Sequence, residues 1–369
     1  MGSLEQAVYA ILIAFVIGVI LCPILIPVLH KMKFGQNVRD DGPQTHLQKQ
    51  GTPTMGGIAC LIAFVVASFF FLKGNTDGIA VVLMTLCYGI IGFLDDYIKV
   101  VKKRSLGLRA WQKLALQLIV TAVFCWYVMM KSGIGTAIYI PFTNGMELDL
   151  GILFVPFLFI AVLGTVNGVN LTDGLDGLAG GVTLIVAAFF MIVSWAAGSM
   201  ISPVCGAIVG ALLAFLLFNC YPAKVFMGDT GSLALGGFVA ATAFVLKMPI
   251  FIVIVGFVYL WESITVMLQV GWFKITKRKY GEGRRLFKMA PFHHHLEQCG
   301  WRETKVVTLF YVVTALLCLK QCFNGKKEKI HEIYRKTCPG MRHGKKRYCG
   351  SGSAAETGCS GYIAGYERT

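Results

Sequence analysis

The stretch LEQAVYAILIAFVIGVILCPILIPVL, residues 4–29, decides the class of fold. It is longer than the roughly 20 apolar residues that a helix needs to cross a bilayer. No basic segment precedes it and no small-residue cleavage motif follows it, in contrast to a signal peptide. We therefore predict a retained transmembrane helix in this part of the chain.

Further apolar runs follow along most of the sequence. Hydrophobic residues make up 56% of the chain and charged residues only 14%, whereas soluble domains are closer to a quarter charged. We predict an all-α, polytopic integral membrane protein with about ten transmembrane helices in a lipid bilayer. The predicted spans are 4–29, 56–72, 79–97, 113–130, 152–168, 179–197, 202–218, 231–246, 249–272 and 304–319.

The basic residues are distributed unequally between the two sides. They concentrate in loops 30–55, 95–113 and 273–305. The opposite loops carry only Lys73, Lys131 and Lys247. Because the side richer in Lys and Arg faces the cytoplasm, we predict that the basic loops are cytoplasmic and that both ends of the ten-helix unit face out. The net charge of +15 would suit nucleic acid, but the apolar runs argue against such a partner.

The composition changes near residue 319. Residues 1–319 form the predicted ten-helix membrane domain, whereas residues 320–369 are basic, contain cysteines and have no hydrophobic period. Such a tail is typical of disorder or of an altered C-terminus, and we assign it no function.

The cysteines of the chain have neither metal-like nor disulfide-like spacing, so we predict no disulfide framework.

Two adjacent aspartates, Asp95 and Asp96, end the third predicted span. Ionisable residues near membrane depth are costly and usually functional, although a solvated helix end is the simpler alternative. Neighbouring residues on a helix point about 100° apart. One carboxylate can therefore face a site while the other pairs with a base such as Lys99.

The stretch NGVNLTDGLDGLAGG, residues 167–181, lies between two spans. Asp173 and Asp176 are three residues apart, so a helical turn would place both on one face. The glycines allow the backbone to approach a ligand closely. The alternatives are a functional loop and a capped, glycine-rich connection.

Two further motifs carry groups that suit phosphate chemistry. Asp229 lies at a predicted helix N-terminus, where it either caps the helix or binds a hard metal beside amides that favour phosphate. The three histidines of residues 293–295 lie in the largest basic loop and lack zinc-type spacing. For them we predict phosphate contact or local structure rather than a metal cage.

Together, in this order and topology, the motifs resemble those of the polyprenyl-phosphate N-acetylhexosamine-1-phosphate transferase superfamily. The stretches GTPTMGG (51–57) and PFHHHLE (291–297) are similar to the branch that takes a muramoyl-pentapeptide nucleotide. The resemblance covers about residues 1–319. It implies transfer from UDP-N-acetylmuramoyl-pentapeptide to undecaprenyl phosphate, with Mg²⁺, giving lipid I and UMP. It also implies a bacterial inner-membrane enzyme with a cytoplasmic active site, and a homodimer.

The resemblance also implies roles for individual residues. Asp229 matches the Mg²⁺ ligand, and Asp95 matches the proposed base or nucleophile, with Asp96 and Asp173 in support. The implied catalytic set further includes His293, His294 and His295. The implied substrate contacts are Lys49, Thr54, Asn170, Gly174, Leu175, Asp176, Asn219, Phe226 and Gln269.

Two other functions compete with this interpretation. A sister enzyme would transfer GlcNAc-1-phosphate from UDP-GlcNAc to a polyprenyl phosphate, and a secondary transporter would also contain buried charge. A transporter would need ionisable groups near the bilayer midplane, yet here nearly all of them lie at the predicted cytoplasmic mouth, and Glu262 is the one exception well inside a predicted span. Because both reactants of the transferase are anions, a metal and basic groups must offset their repulsion. We predict direct attack by the lipid phosphate.

Overall fold

The structure is a computed structural model that describes residues 3–31, 51–101, 107–130, 132–143 and 145–337. The chain divides into two units, Met1–Glu328 and Lys329–Thr369, and all packing described below lies within the first. The tail beyond residue 337, for which the sequence predicts disorder or an altered terminus, lies outside the described residues. The predicted boundary at residue 319 stays a prediction.

Helices dominate the described chain, which confirms the all-α membrane class. Seven helical segments among the described residues are long and apolar enough to cross a membrane. The count of ten spans and the outward orientation of both ends stay predictions. The helices are α1 (Ser3–Lys31), α2 (Gly57–Phe69), α3 (Thr76–Val101), α4 (Ala110–Met130), α5 (Phe154–Thr172), α6 (Leu178–Ala196), α7 (Ser202–Asn219), α8 (Gly228–Val245), α9 (Phe251–Val255), α10 (Phe257–Tyr280), α11 (Phe292–Gln298) and α12 (Glu303–Thr337).

Two predicted spans differ in length from the helices observed. The ninth span is divided at Gly256 into α9 and α10, and α10 continues beyond the predicted end to Tyr280. The last predicted span begins one residue after the start of α12, whose apolar part extends from Glu303 to Cys322. The apolar runs therefore located these helices, but their ends were not predicted correctly, because the helices continue through polar residues.

A short hairpin is the one sheet in the described residues. Strand β1 (Ala137–Tyr139) pairs antiparallel with β2 (Glu147–Asp149), with Ile138 opposite Leu148. It connects the C-terminal end of α4 to the N-terminal end of α5. Three-residue strands are too short to give an alternating pattern that sequence reasoning could detect.

The outer surface of α1 remains strongly apolar after folding. Leu12, Val16, Ile20 and Ile24 recur every four residues and are each more than half exposed. A continuous apolar stripe of this kind does not suit a water-facing surface. Its exposure fits a helix whose outer face contacts lipid.

Close helix contacts at glycine hold the centre of the bundle together. Gly210 on α7 faces the Ile11 carbonyl of α1, and Gly92 on α3 faces the Asp229 carbonyl of α8; a Cβ atom at either glycine would overlap that oxygen. Small residues allow helix backbones to approach closely. The contact at Gly92 brings the last turn of α3 against the first turn of α8.

Candidate active site

Three carboxylates from two helices meet at one end of the bundle. Asp95 and Asp96 lie near the end of α3, Asp229 lies in the first turn of α8, and their ligand oxygens are within 4.8 Å of one another. Asp95 and Asp96 are buried. Like charges so close disfavour their own ionised forms, so the cluster needs cations.

Two lysines supply positive charge to the cluster. Lys99 Nζ lies 2.6 Å from an oxygen of Asp95 and 2.9 Å from one of Asp229. Lys113 Nζ, from the first turn of α4, is also 2.9 Å from Asp229. Both lysines retain partial exposure, 35% for Lys99 and 19% for Lys113. Positive charge therefore enters the site from the solvent side of the carboxylates.

The two aspartates of α3 have different local roles. The Asp96 carboxylate accepts hydrogen bonds from the backbone amides of Asp229 (3.2 Å) and Thr230 (2.8 Å) and from the Thr230 hydroxyl (2.7 Å). It therefore supplies the α8 amides with a side-chain acceptor from another helix. Asp95 instead accepts from the Leu108 amide at 2.8 Å.

Asp229 itself does not cap α8, so the simpler interpretation of this residue is wrong. It lies inside the helix, where its backbone amide is bound by Asp96. Its carboxylate is oriented by Asn170, whose amide donates to Asp229 Oδ1 at 2.9 Å and to Ser232 Oγ at 2.8 Å. The carboxylate thus points into the cluster with both oxygens in defined contacts.

Asp173 lies beside this cluster, but not on a helix. Helix α5 ends at Thr172, and residues 173–177 form turns, so the predicted helical turn through both aspartates is wrong. Gly177, with φ of 77°, adopts a left-handed conformation that a helix cannot continue. Burial, together with the negative charge of Asp229, raises the pKa of Asp173 to about 8.

Asp176 and Asn219 hold neighbouring loops together. Asp176 is buried, and its carboxylate accepts the Ala223 amide at 3.0 Å. Asn219 accepts the Gly177 amide at 3.2 Å and donates to the Val225 carbonyl at 2.9 Å. These bonds join the loop before α6 to the loop after α7. The predicted contacts of Asp176 and Asn219 with substrate stay predictions.

Residues 53–56, which follow the predicted substrate contact Lys49 in the sequence, pack against the start of α8. The Phe226 amide donates to the Pro53 carbonyl at 2.8 Å, and the Gly56 amide donates to the Phe226 carbonyl at 2.8 Å. Thr54 is buried at this junction. Lys49 itself lies outside the described residues.

The three adjacent histidines have different partners. His293 Nδ1 lies 3.1 Å from Glu262, and His294 Nδ1 lies 3.0 Å from Glu297. His295 accepts the Lys288 amide at 3.2 Å. Only His293 is buried.

Gln269 binds the backbone that precedes the histidines. Its side-chain oxygen accepts the amides of Leu286 (3.1 Å) and Phe287 (2.9 Å), and its amide donates to the Phe287 carbonyl at 3.2 Å. It thereby ties the loop after α10 back to that helix. Leu175 is buried in the same end of the bundle, and Gly174 contacts the His293 ring.

An apolar groove between α2 and α3 adjoins the cluster. Its cavity has a volume of about 280 Å³, and its lining includes Thr230, whose hydroxyl binds Asp96. Its apolar lining includes Ile58, Leu61, Val65, Leu86, Ile90 and Phe93. A hydrocarbon chain in this groove would lie next to the carboxylates.

Sequence reasoning missed Lys113, Thr230 and Ser232 as members of the site. Lys113 was one lysine among several in a basic loop, and its contact with Asp229 joins residues 116 positions apart. A usable signal did exist, because Lys113 opens a predicted span in which a lysine is costly. Thr230 and Ser232 lie one and three residues after Asp229, but they carry no charge that would mark them as site residues.

Comparisons with known proteins agree with this site. Residues 49–59 match signature 1 of phospho-N-acetylmuramoyl-pentapeptide-transferases, and residues 78–247 match glycosyl transferase family 4. A phospho-N-acetylmuramoyl-pentapeptide-transferase of Clostridium perfringens (strain 13) is 49% identical over 85% of this chain and 96% of its own length. A phospho-N-acetylmuramoyl-pentapeptide-transferase of Clostridium kluyveri (strain ATCC 8527) is 48% identical over 85% of this chain and 98% of its own length.

Proposed function

Because the chain belongs to the phospho-N-acetylmuramoyl-pentapeptide-transferase family, we propose that it transfers phospho-N-acetylmuramoyl-pentapeptide from its UDP nucleotide to undecaprenyl phosphate, giving lipid I and UMP. It is a phosphotransferase that acts on a polyprenyl phosphate acceptor. The observation that carries the proposal is the cluster of Asp95, Asp96 and Asp229 beside Lys99 and Lys113. Two anionic reactants need such an arrangement, because positive charge must offset their repulsion.

The residues of the cluster fit a hard divalent cation. Carboxylate oxygens are the ligands that Mg²⁺ prefers, usually one or two of them together with substrate phosphates. Asp229 would hold the ion, since Asn170 already orients its carboxylate and Asp96 is committed to the α8 amides. When bound, Mg²⁺ supplies positive charge to the diphosphate.

The contacts of Asp95 favour direct attack by the lipid phosphate over a covalent intermediate. One Asp95 oxygen accepts the Leu108 amide and the other is paired with Lys99 at 2.6 Å. A carboxylate held on both sides is suited to position a group or accept a proton. In the proposed step an oxygen of the lipid phosphate forms a bond to the sugar-linked phosphorus, and the bond from that phosphorus to UMP breaks.

The nucleotide would approach from the cytoplasm and the lipid from the bilayer. The predicted cytoplasmic loops contain Lys99, Lys113 and the histidines, and Thr230 lines the apolar groove. The reaction would then take place at the inner face of the bacterial inner membrane. The homodimer implied by the resemblance stays a prediction.

Transfer to undecaprenyl phosphate tests the function directly. Purified protein in lipid nanodiscs with Mg²⁺ should convert radiolabelled UDP-N-acetylmuramoyl-pentapeptide into labelled lipid and release UMP in equal amount. UDP-GlcNAc should not replace the nucleotide. Preference for UDP-GlcNAc would overturn the substrate assignment and favour the sister activity.

A single turnover without lipid tests the direct attack. With label on the β-phosphate and no acceptor, we expect no stoichiometric release of UMP. Label trapped on Asp95 and chased into lipid at a competent rate would show a covalent intermediate instead.

Cysteine labelling tests the proposed face. Glu282 and Met146 are exposed positions at opposite ends of the bundle. In a chain in which the exposed Cys220 and Cys299, and the tail residues Cys338, Cys349 and Cys359, are replaced by serine, Glu282→Cys should resist an impermeant thiol reagent in intact cells, whereas Met146→Cys should react. The reverse pattern would place the carboxylate cluster outside.

A further inference from the structure

Glu262 is a buried carboxylate for which the proposed reaction assigns no role. It lies on α10 within a predicted span and is completely inaccessible to solvent. Burying a carboxylate is costly unless it is paired and hydrogen-bonded. Its partners therefore indicate what the protein gains from it.

A single oxygen of Glu262 binds the start of α11 twice. Glu262 Oε2 accepts the Phe292 amide at 2.8 Å and faces His293 Nδ1 at 3.1 Å. The other oxygen of Glu262 and the Nε2 atom of His293 have no hydrogen-bond partner among the described residues, and both are buried. Glu262 therefore binds Nδ1 of His293, whereas Nε2 has no partner among the described residues.

The unpaired nitrogen lies against the turn that contains Asp173. A Cβ atom at Gly174 would overlap the His293 ring, and Nε2 is the ring atom nearest to it. Gly174 directly follows Asp173, which neighbours the carboxylate cluster. The absence of a side chain at Gly174 thus lets this nitrogen reach the edge of the candidate site.

On the basis of the proposed function, we propose that Glu262 is a positioning residue for the transferase. It accepts the hydrogen of Nδ1, orients the ring and fixes the tautomer of His293, so that Nε2 is the nitrogen presented to the substrate. A carboxylate that holds a histidine in one tautomer from behind is a recurrent device in enzymes. This role needs an acceptor oxygen at Oε2 and does not need the negative charge.

Two substitutions of Glu262 separate orientation from charge. In Glu262→Gln, the amide oxygen can take the place of Oε2 and accept both hydrogens, so we expect kcat/KM for the nucleotide within about threefold of wild type. Glu262→Met has similar length but no acceptor, and we expect kcat/KM to fall about 10- to 100-fold. Thr265→Val is the matched control, because buried Thr265 on the same helix bonds only the Glu262 backbone carbonyl.

A double-mutant cycle distinguishes positioning from a general structural role. If Glu262 acts through His293, adding Glu262→Met to His293→Ala should lower kcat/KM by less than about twofold. A further tenfold loss in that background would overturn the proposal, as would wild-type kinetics of Glu262→Met alone. Absence of transferase activity in the wild-type protein would instead count against the proposed function.

The tautomer can be measured without any variant of Glu262. Side-chain ¹⁵N spectra of histidine-labelled protein, assigned with His293→Ala, should report a hydrogen on Nδ1 of His293. This measurement decides the question if Glu262→Met fails to fold. A hydrogen on Nε2 with Nδ1 bare would overturn the proposal.

Discussion

Two helix contacts in this protein are both made at a glycine, but their consequences differ. At the α1–α7 contact, Gly210 faces the Ile11 carbonyl among buried apolar residues; at the α3–α8 contact, Gly92 faces the Asp229 carbonyl one turn from Asp95 and Asp96. Both contacts bring backbones together through a missing side chain. The first fixes only the packing of apolar helices. The second also fixes the distances between three carboxylates, so its geometry has chemical consequences.

The largest expected effect comes from removing the charge at the α3–α8 contact. Asp229→Asn keeps the size of the side chain but weakens its attraction for Mg²⁺ and for Lys99 and Lys113. We expect kcat to fall about 1,000-fold, the upper range for loss of one electrostatic group. The rate of UMP release measures it.

The control for this substitution lies at the other end of α3. Asp77 accepts the Tyr127 hydroxyl at 2.7 Å, and Asp77→Asn should leave transfer within about threefold of wild type, as expected for sites away from the reaction. Near-normal turnover of Asp229→Asn with Mg²⁺ would remove Asp229 from the metal site.

Adding one methyl group to each glycine contact tests the comparison itself. Gly92→Ala forces α3 away from the Asp229 carbonyl, and we expect about a 100-fold loss of kcat, since a displacement of about 1 Å can cost that much. Gly210→Ala creates the same overlap at α1–α7, so it should lower thermal stability while the folded fraction keeps its turnover.

Gly164→Ala is the matched control for both glycine variants. Gly164 lies in α5 with no neighbouring atom within reach of an added Cβ, so stability and turnover should both be preserved. If Gly92→Ala and Gly210→Ala reduce turnover equally, the distinction between the two contacts is wrong.

A smaller effect is expected from the replacement of Lys113. Lys113 contacts Asp229 and lies 3.4 Å from the Asn170 side-chain oxygen, whereas Lys99 contacts two carboxylates. Lys113→Gln leaves Lys99 in place, and we expect about a tenfold loss of kcat/KM for the nucleotide. A loss larger than that of Lys99→Gln would reverse the assigned order of the two lysines.

The smallest effect is expected in the apolar groove on the outer side of α3. Ile90→Trp would fill part of the groove, and we expect KM for undecaprenyl phosphate to rise about threefold, a change typical of lost apolar contact. A short-chain acceptor should be less affected. Ile160→Trp, at an exposed position of α5 outside the groove lining, should change neither value.

Sequence reasoning predicted the helices and the acidic residues better than the contacts among them. Apolar run length located the helices, because crossing a bilayer imposes a minimum number of apolar residues. The cost of carboxylates near membrane depth singled out Asp95 and Asp96, and the predicted helix N-terminus singled out Asp229. Sequence reasoning misjudged the Asp173–Asp176 segment as a possible helical turn, because Gly177 can follow either a helix or a loop in sequence and its left-handed conformation appears only in the fold.

The sequence by itself determined the membrane class, the family motifs and the residue types available for phosphoryl transfer. These properties depend on composition and short-range spacing, which need no knowledge of packing. Only the tertiary structure decided that Asp96 binds the α8 amides, that Lys113 reaches Asp229, and that Glu262 holds His293. Each of these contacts joins residues from different helices. Composition and short-range spacing do not show which helices become neighbours, because that depends on close backbone approach between distant segments, as at Gly92.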